Sequence, residues 1–191
     1  MSPIQNTKLK RLGLFTLADA RKLGIDQPSL SRLVQQGTLQ RVGRGIYLHP
    51  EAKISPNTID FQIAQIKFGE TAAIGGLSAL FHYNLVEQVP GQTWVIVPPK
   101  IHTAERMYRL IRTKADDRVG ILSKDGYRIV SIERALIEAL RFSTKIGERT
   151  ALKAVRTALT KRLTTEAKLG RIAKSLKLES TLARYFEAIA L

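Results

Sequence analysis

The chain contains no cysteine, which excludes a disulfide scaffold, thiolate metal sites and a cysteine nucleophile. It is also short of acid: 16 Asp and Glu stand against 31 Lys and Arg, a net charge of +15. Histidine occurs only at 49, 82 and 102, and none of the three has a second histidine or a carboxylate at metal-ligand spacing on one helix face, so no metal is expected. No run approaches ~18 consecutive apolar residues, which excludes a membrane-spanning helix. Residues 1–12 are polar and basic and lack the apolar stretch of a signal peptide, so the expected location is the cytoplasm. No GxSxG, Walker loop or GxGxxG occurs. The signatures of a serine hydrolase, a P-loop NTPase and a dinucleotide enzyme are therefore missing, and no cofactor is expected.

What remains is a globular composition. The 191 residues are 44% apolar and 25% charged, enough for one ordinary domain or two small ones. Positive charge in such excess suggests a polyanionic partner, most often nucleic acid, bound by neutralising phosphates and releasing counterions. The charge is unevenly spread. Residues 1–50 carry eight basic and two acidic residues, 51–98 two and four, 99–143 ten and six, and 144–191 eleven and four. Two basic ends thus flank a nearly neutral, apolar middle. The joint is expected at His49 to Pro56, where two prolines interrupt any periodicity, giving domains 1–50 and 51–191.

The first module reads as helix, turn, helix, hairpin. Thr16 caps a short helix over 16–24, with Asp19 favouring the positive end of the helix dipole and Gly24 ending it. Asp26 or Gln27 starts a second helix with Pro28 in its first turn, and Gly37 ends it. Strands over 39–42 and 45–48 follow, joined by a tight turn at Gly43 and Arg44. This is the order of a winged helix-turn-helix. On the second helix Leu30, Leu33 and Val34 cluster on one side. Pro28, Arg32, Gln35 and Gln36 lie opposite, flanked by Ser29 and Ser31, and that face carries no acid; with Gln27 its polar residues are the groove candidates. Arg and Gln present the bidentate groups that read guanine and adenine edges. Arg41 and Arg44 sit on the hairpin, where a wing meets DNA backbone or minor groove. The bland alternative is a solvated surface helix and a soluble hairpin. The ordered elements and the local charge favour DNA.

The second module reads as α+β. Helices are expected over 57–68 and 72–83, strands over 94–97, 107–113, 119–122 and 127–130, and a helix over 131–141 capped by Ser131, with Glu133 and Glu138 on its polar face. Three further helices, over 148–159, 165–176 and 179–190, complete a helical end. The whole is thus an α+β chain: a winged helix-turn-helix, then a mixed domain with a small β-sheet and helical C-terminal end. Two basic clusters stand out in it. Arg149, Lys153 and Arg156 share a helix face that Lys161 and Arg162 extend, and Arg106, Arg109, Arg112 and Lys114 decorate a strand. They read as a second surface for DNA or an acidic partner.

A nuclease is the natural enzyme for a basic chain, and restriction-type sites need Asp and then Asp/Glu-x-Lys on strands. The tripeptide occurs only at Glu51-Ala52-Lys53, in the joint, and Glu166-Ala167-Lys168, at a helix start, while Asp116 and Asp117 read as a charged turn. No catalytic residue is assigned and no enzyme is expected.

The stretch LFTLADARKLGIDQPSLSRLVQQGTLQRVGRGIYLHP, with Leu23-Gly24, Leu30-Ser-Arg-Leu-Val34 and Arg41-Val-Gly-Arg-Gly-Ile-Tyr47, resembles the N-terminal winged helix of the AbiEi antitoxins of type IV toxin–antitoxin (abortive infection) systems. Leu77-Ser78-Ala79-Leu80 with His82, the run from Trp94 to Pro99, and Ile129-Val-Ser-Ile-Glu-Arg134 resemble the rest of that family. The resemblance implies a repressor of its own operon that binds inverted repeats through the N-terminal domain. It implies a C-terminal domain that counteracts a nucleotidyltransferase-like toxin without requiring a stable complex, and a monomer or a dimer assembling on DNA. The competing readings are a stand-alone winged-helix regulator with a ligand-sensing domain and, further off, a DNA nuclease.

Overall fold

The computed structural model describes residues 3–116 and 118–190. The chain divides into two compact units, residues 1–67 and 68–191. The joint expected between 50 and 51 lies inside the first of them. Among the described residues no helix is long and apolar enough to cross a membrane.

In the first unit helix α1 (Pro3–Leu12) and strand β1 (Leu14–Thr16) precede helices α2 (Leu17–Lys22) and α3 (Gln27–Gln35), and strands β2 (Gln40–Gly43) and β3 (Ile46–Leu48) follow. The three strands form an antiparallel sheet in the order β1-β3-β2, with Phe15 opposite Tyr47. Thr16 closes β1 and opens α2 through a reciprocal cap: its hydroxyl accepts from the Asp19 backbone N–H, and the Asp19 carboxylate accepts from the Thr16 backbone N–H. Gly24 (φ +74°) and Gly37 (φ +73°) take the left-handed conformation that ends each helix. The hairpin turn is Arg44-Gly45, one residue later than expected, because Gly45 supplies the positive φ (+72°). Leu9, Phe15, Ala20, Ile25, Leu30, Leu33, Leu39 and Tyr47 form the core of this unit. Helix α4 (Ile59–Phe68) runs to the division between the units.

The second unit carries strands β4 (Ala73–Ile74), β5 (Thr93–Val97), β6 (Tyr108–Arg112), β7 (Ile121–Lys124) and β8 (Tyr127–Val130) in one mixed sheet of order β6-β5-β4-β8-β7. Helix α5 (Gly76–His82) follows β4, α6 (Ile132–Arg141) follows β8, and α7 (Ser143–Ile146), α8 (Glu148–Thr160), α9 (Glu166–Ser175), α10 (Glu179–Arg184) and α11 (Phe186–Ala190) form the helical end. The chain is therefore α+β, as the sequence predicts. Two local expectations fail. The apolar stretch from Ala72 is not one helix: Ala73 and Ile74 pair with Ile96 and Val95 as a strand, and α5 starts only after Gly75. Glu138 is not on a polar face. It is buried beside Arg134, because α6 is enclosed along Arg134 to Leu140.

Glycines 75 and 76 make the β4–α5 corner. A Cβ at 75 would stand 2.7 Å from Ile96 Cδ1, and one at 76 (φ +50°) would overlap the Trp94 ring. Ser78, one turn into α5, accepts from the Trp94 backbone N–H at 2.9 Å, which fixes the helix against β5.

Candidate nucleic-acid interface

The candidate reading head is α3. The Asp26 carboxylate caps it, accepting from the Ser29 backbone N–H at 2.9 Å, and those Ser29 hydrogen bonds hold its pKa below the usual carboxylate range. Leu30 and Leu33 face the core. The period of 3.6 then sends the remaining side chains outward. Gln27, Ser31, Arg32, Gln35 and Gln36 are exposed and Ser29 is half-buried. The Arg32 guanidinium donates to Ser29 Oγ at 3.3 Å, so its fork is aligned along the helix. The face is polar, free of acid between Gln27 and Gln36, and ringed by donors and acceptors suited to base edges.

The hairpin supplies the wing. Arg41 and Arg44 are both exposed. Arg41 Nε donates to the Gly43 carbonyl at 3.3 Å across the β-bulge between Arg41 and Gly43, which tilts its side chain along the strand. Arg44 occupies the turn itself. Every residue singled out in the first module is thus on the surface of one small domain, on the second helix of the helix-turn-helix or on its hairpin.

The sequence did not signal α1 and β1. Helix α1 has a single fully buried apolar anchor among the described side chains, Leu9, too little periodicity to detect. It is tied down by polar contacts instead. His49, which is buried, accepts from the Glu51 backbone N–H through Nδ1 at 3.2 Å, so the proton resides on Nε2 and is donated to Asn6 Oδ1 at 3.1 Å. Lys10 pairs with Glu51 on the same side, and that contact lowers the Glu51 pKa. His49 is thus a structural latch rather than a ligand.

The second basic surface separates by element. Arg149, Lys153, Arg156 and Lys161 line one open groove on α8, with Leu152 and Thr157 between them, and the neighbouring Arg162 is exposed. Two of the four are already engaged: Lys153 pairs with Glu87 at 2.9 Å, and Arg156 Nε donates to the Ala188 carbonyl at 2.9 Å. The face of α8 that packs inward is Ala151, Ala154, Val155 and Ala158, with Leu152 and Leu159 only half-buried. On the edge strand β6, Arg109 lies opposite Trp94 and Arg112 opposite Val97 in register, an odd separation that places them on opposite sheet faces. Arg109 stacks 4.4 Å above the Trp94 ring, and Arg112 donates to the Ile101 carbonyl at 3.1 Å. Arg106 and Lys114 are exposed.

No catalytic arrangement emerges from the residues weighed for a nuclease. Asp116 is chelated by its neighbour Arg118, whose hydrogen bonds hold its carboxyl down to about 2. Asp117 lies outside the described residues. Glu51 pairs with Lys10, and Glu166 sits in the first turn of α9. Among the described residues no group of three or more His, Asp or Glu is placed to hold a metal. His82 ends α5 between the rings of Tyr83 and Tyr127, at 5.3 and 6.3 Å, and burial pushes its pKa down.

Comparison with known proteins agrees with this geometry. Residues 7–50 match the family model described as "Transcriptional regulator, AbiEi antitoxin". The matched stretch is similar to that regulator family, and it holds α3 and the β2–β3 hairpin. No curated protein sequence matches the chain. Among solved structures, the crystal structure of the RV2827C protein from Mycobacterium tuberculosis is similar at 14% identity, with a TM-score of 0.64 over 100% of this chain and 82% of that one. At that identity the likeness concerns the fold alone.

Proposed function

We propose that this chain, whose residues 7–50 match the AbiEi regulator family, is a type IV antitoxin and a repressor of its own operon. In this reading α3 enters the major groove of an operator containing inverted repeats, and Arg41 and Arg44 hold the adjoining backbone or minor groove. The observation that carries it is the exposed, acid-free face of α3, with Arg32 at its centre, in the stretch that matches that family. The second unit would counteract a nucleotidyltransferase-like toxin, with the α8 groove as its basic contact surface. Two experiments test the two halves. Arg32→Ala should lower affinity for the chain's own upstream DNA and leave scrambled DNA unaffected. Co-expression with a nucleotidyltransferase-like toxin encoded beside it should restore growth.

A second reading is favoured by one observation: the family match stops at residue 50. A stand-alone winged-helix regulator would then use the second unit for something other than a toxin. It would bind the same upstream DNA and fail to restore growth.

A further inference from the structure

We propose that the second unit binds a small organic monoanion with an apolar body, in the cavity beside the ends of β4, β5 and β6 where Arg134 and Lys114 converge. The inference stands apart from the DNA reading, since all of its residues lie between 71 and 134.

The cavity has a volume of about 340 Å³, at the lower end of the range for small-molecule sites. Ala73, Ile96, Pro98 and Ile121 give it apolar walls. Two cations meet it at different depths. Arg134 lines it while being fully buried, and Lys114 lines it from an exposed position. Such a lining, mostly apolar with a few convergent charges, fixes both the size and the polarity of a ligand.

The charge beneath the cavity is held in place by its own network. Arg134 Nε donates to Glu138 Oε1 at 3.0 Å, and its Nη1 donates to the carbonyls of Val119 and Asp116. The second oxygen, Glu138 Oε2, is buried with no partner. A buried pair that leaves a lone oxygen unsatisfied pays desolvation that an apolar pair of equal size would avoid. A buried charge that lines a cavity is a candidate for a functional site. Gly75 belongs to the same arrangement. A Cβ there would press on Ile96, a wall residue, and would lie 3.7 Å from Glu138 Oε2.

Charge balance selects the ligand. Glu138 offsets Arg134, and among the described residues no acid forms an ion pair with Lys114. The Lys114 ammonium thus stands at the mouth, above walls that are mostly apolar. A ligand with one carboxylate or sulfonate and a ring or branched body matches both.

The test is isothermal titration of the full chain with 2-naphthoate, its neutral amide and acetate. Saturable binding of naphthoate at one site is expected, with the amide and acetate each weaker by about tenfold or more, because one loses the charge-assisted contact and the other the apolar body. Lys114→Ala should weaken naphthoate about tenfold, and Ala115→Phe, which fills the cavity from its rim, should abolish binding. Lys174→Ala, an exposed lysine in the last turn of α9, should leave naphthoate binding unchanged. The exposed Lys114 variants carry the test even if Ala115→Phe fails to fold, with Lys114→Glu expected to bind more weakly than Lys114→Ala. No saturable binding overturns the proposal. So does equal affinity for acid and amide, or an equal loss in Lys174→Ala.

Discussion

Arg134 and Glu138 form an ion pair 3.0 Å long, one helical turn apart on α6, and neither side chain reaches solvent. Burial pushes the Glu138 carboxyl up in pKa against the opposing pull of Arg134. The pair joins α6 to the segment before β7 through the carbonyls that Arg134 also engages. Glu138→Ala leaves a guanidinium buried without its counter-charge and should cost about 3–5 kcal/mol. The double variant Arg134→Met/Glu138→Leu should recover most of that loss. Urea unfolding followed by Trp94, the only tryptophan in the chain, reads both. A single variant as stable as the wild type would mean that the pair does not bind the helix to the sheet.

The corner at Gly75 and Gly76 should tolerate no side chain. Gly76→Ala combines positive φ with overlap of the Trp94 ring and should destabilise the second unit by about 1–3 kcal/mol. The same urea titration checks it, and a red-shifted Trp94 emission in the folded baseline would report the displaced ring directly.

The reciprocal cap at Thr16 gives a pH-dependent prediction. Hydrogen bonds from the Thr16 side chain, and then its backbone, hold the Asp19 carboxyl below its ordinary value of 3.8. A lowered folded-state value means that the contribution is present above about pH 3.8 and is lost as pH falls through the folded value. Thr16→Ala should cost about 1 kcal/mol at neutral pH. Asp19→Asn should remove the part of the acid-side loss that this carboxyl causes. Melting followed by circular dichroism between neutral and acid pH distinguishes the two variants.

Base reading and phosphate holding should separate between two arginines. Arg32→Ala should remove about 1–3 kcal/mol of discrimination between operator and scrambled DNA. Arg44→Ala should weaken both alike and lower the salt slope by about one. If Arg32→Ala leaves operator affinity unchanged at matched salt, α3 is not the reading helix.

The elements that were legible in the sequence are those with both a stop signal and a periodic face. Helix α3 has Asp26 and Pro28 at one end, Gly37 at the other, and Leu30 and Leu33 between them, so its outward face could be read residue by residue. Strand β8 and the Ser131 cap of α6 were equally plain, because a β-branched run ends there on a capping hydroxyl. Strand β1 has only three residues, and it exists because β3 is there to pair with it. Strand β4 has two, in an apolar stretch that periodicity cannot tell from a helix. The tail over 179–190 reads as one helix and forms two, α10 and α11, with the break at Tyr185, whose hydroxyl is drawn 3.0 Å from Ser143 Oγ. Helix periodicity places Glu138 with Glu133 on a polar face, and nothing in that pattern shows that the face is enclosed. The signal for Glu138 was Arg134 one turn before it, a counter-charge that lets an acid be enclosed. Nothing in the strand pattern announced that Arg109 would be spent on Trp94, since that contact depends on the parallel pairing of β5 with β6.

The most direct test of the account is binding of the full chain to the DNA upstream of its own gene, against scrambled DNA of equal length, across a salt series. The winged-helix reading predicts a preference for the upstream DNA that persists at physiological salt and shrinks by about 1–3 kcal/mol in Arg32→Ala. Equal binding to both DNAs, falling steeply with salt in wild type and variant alike, would contradict it and reduce the winged helix to a basic surface.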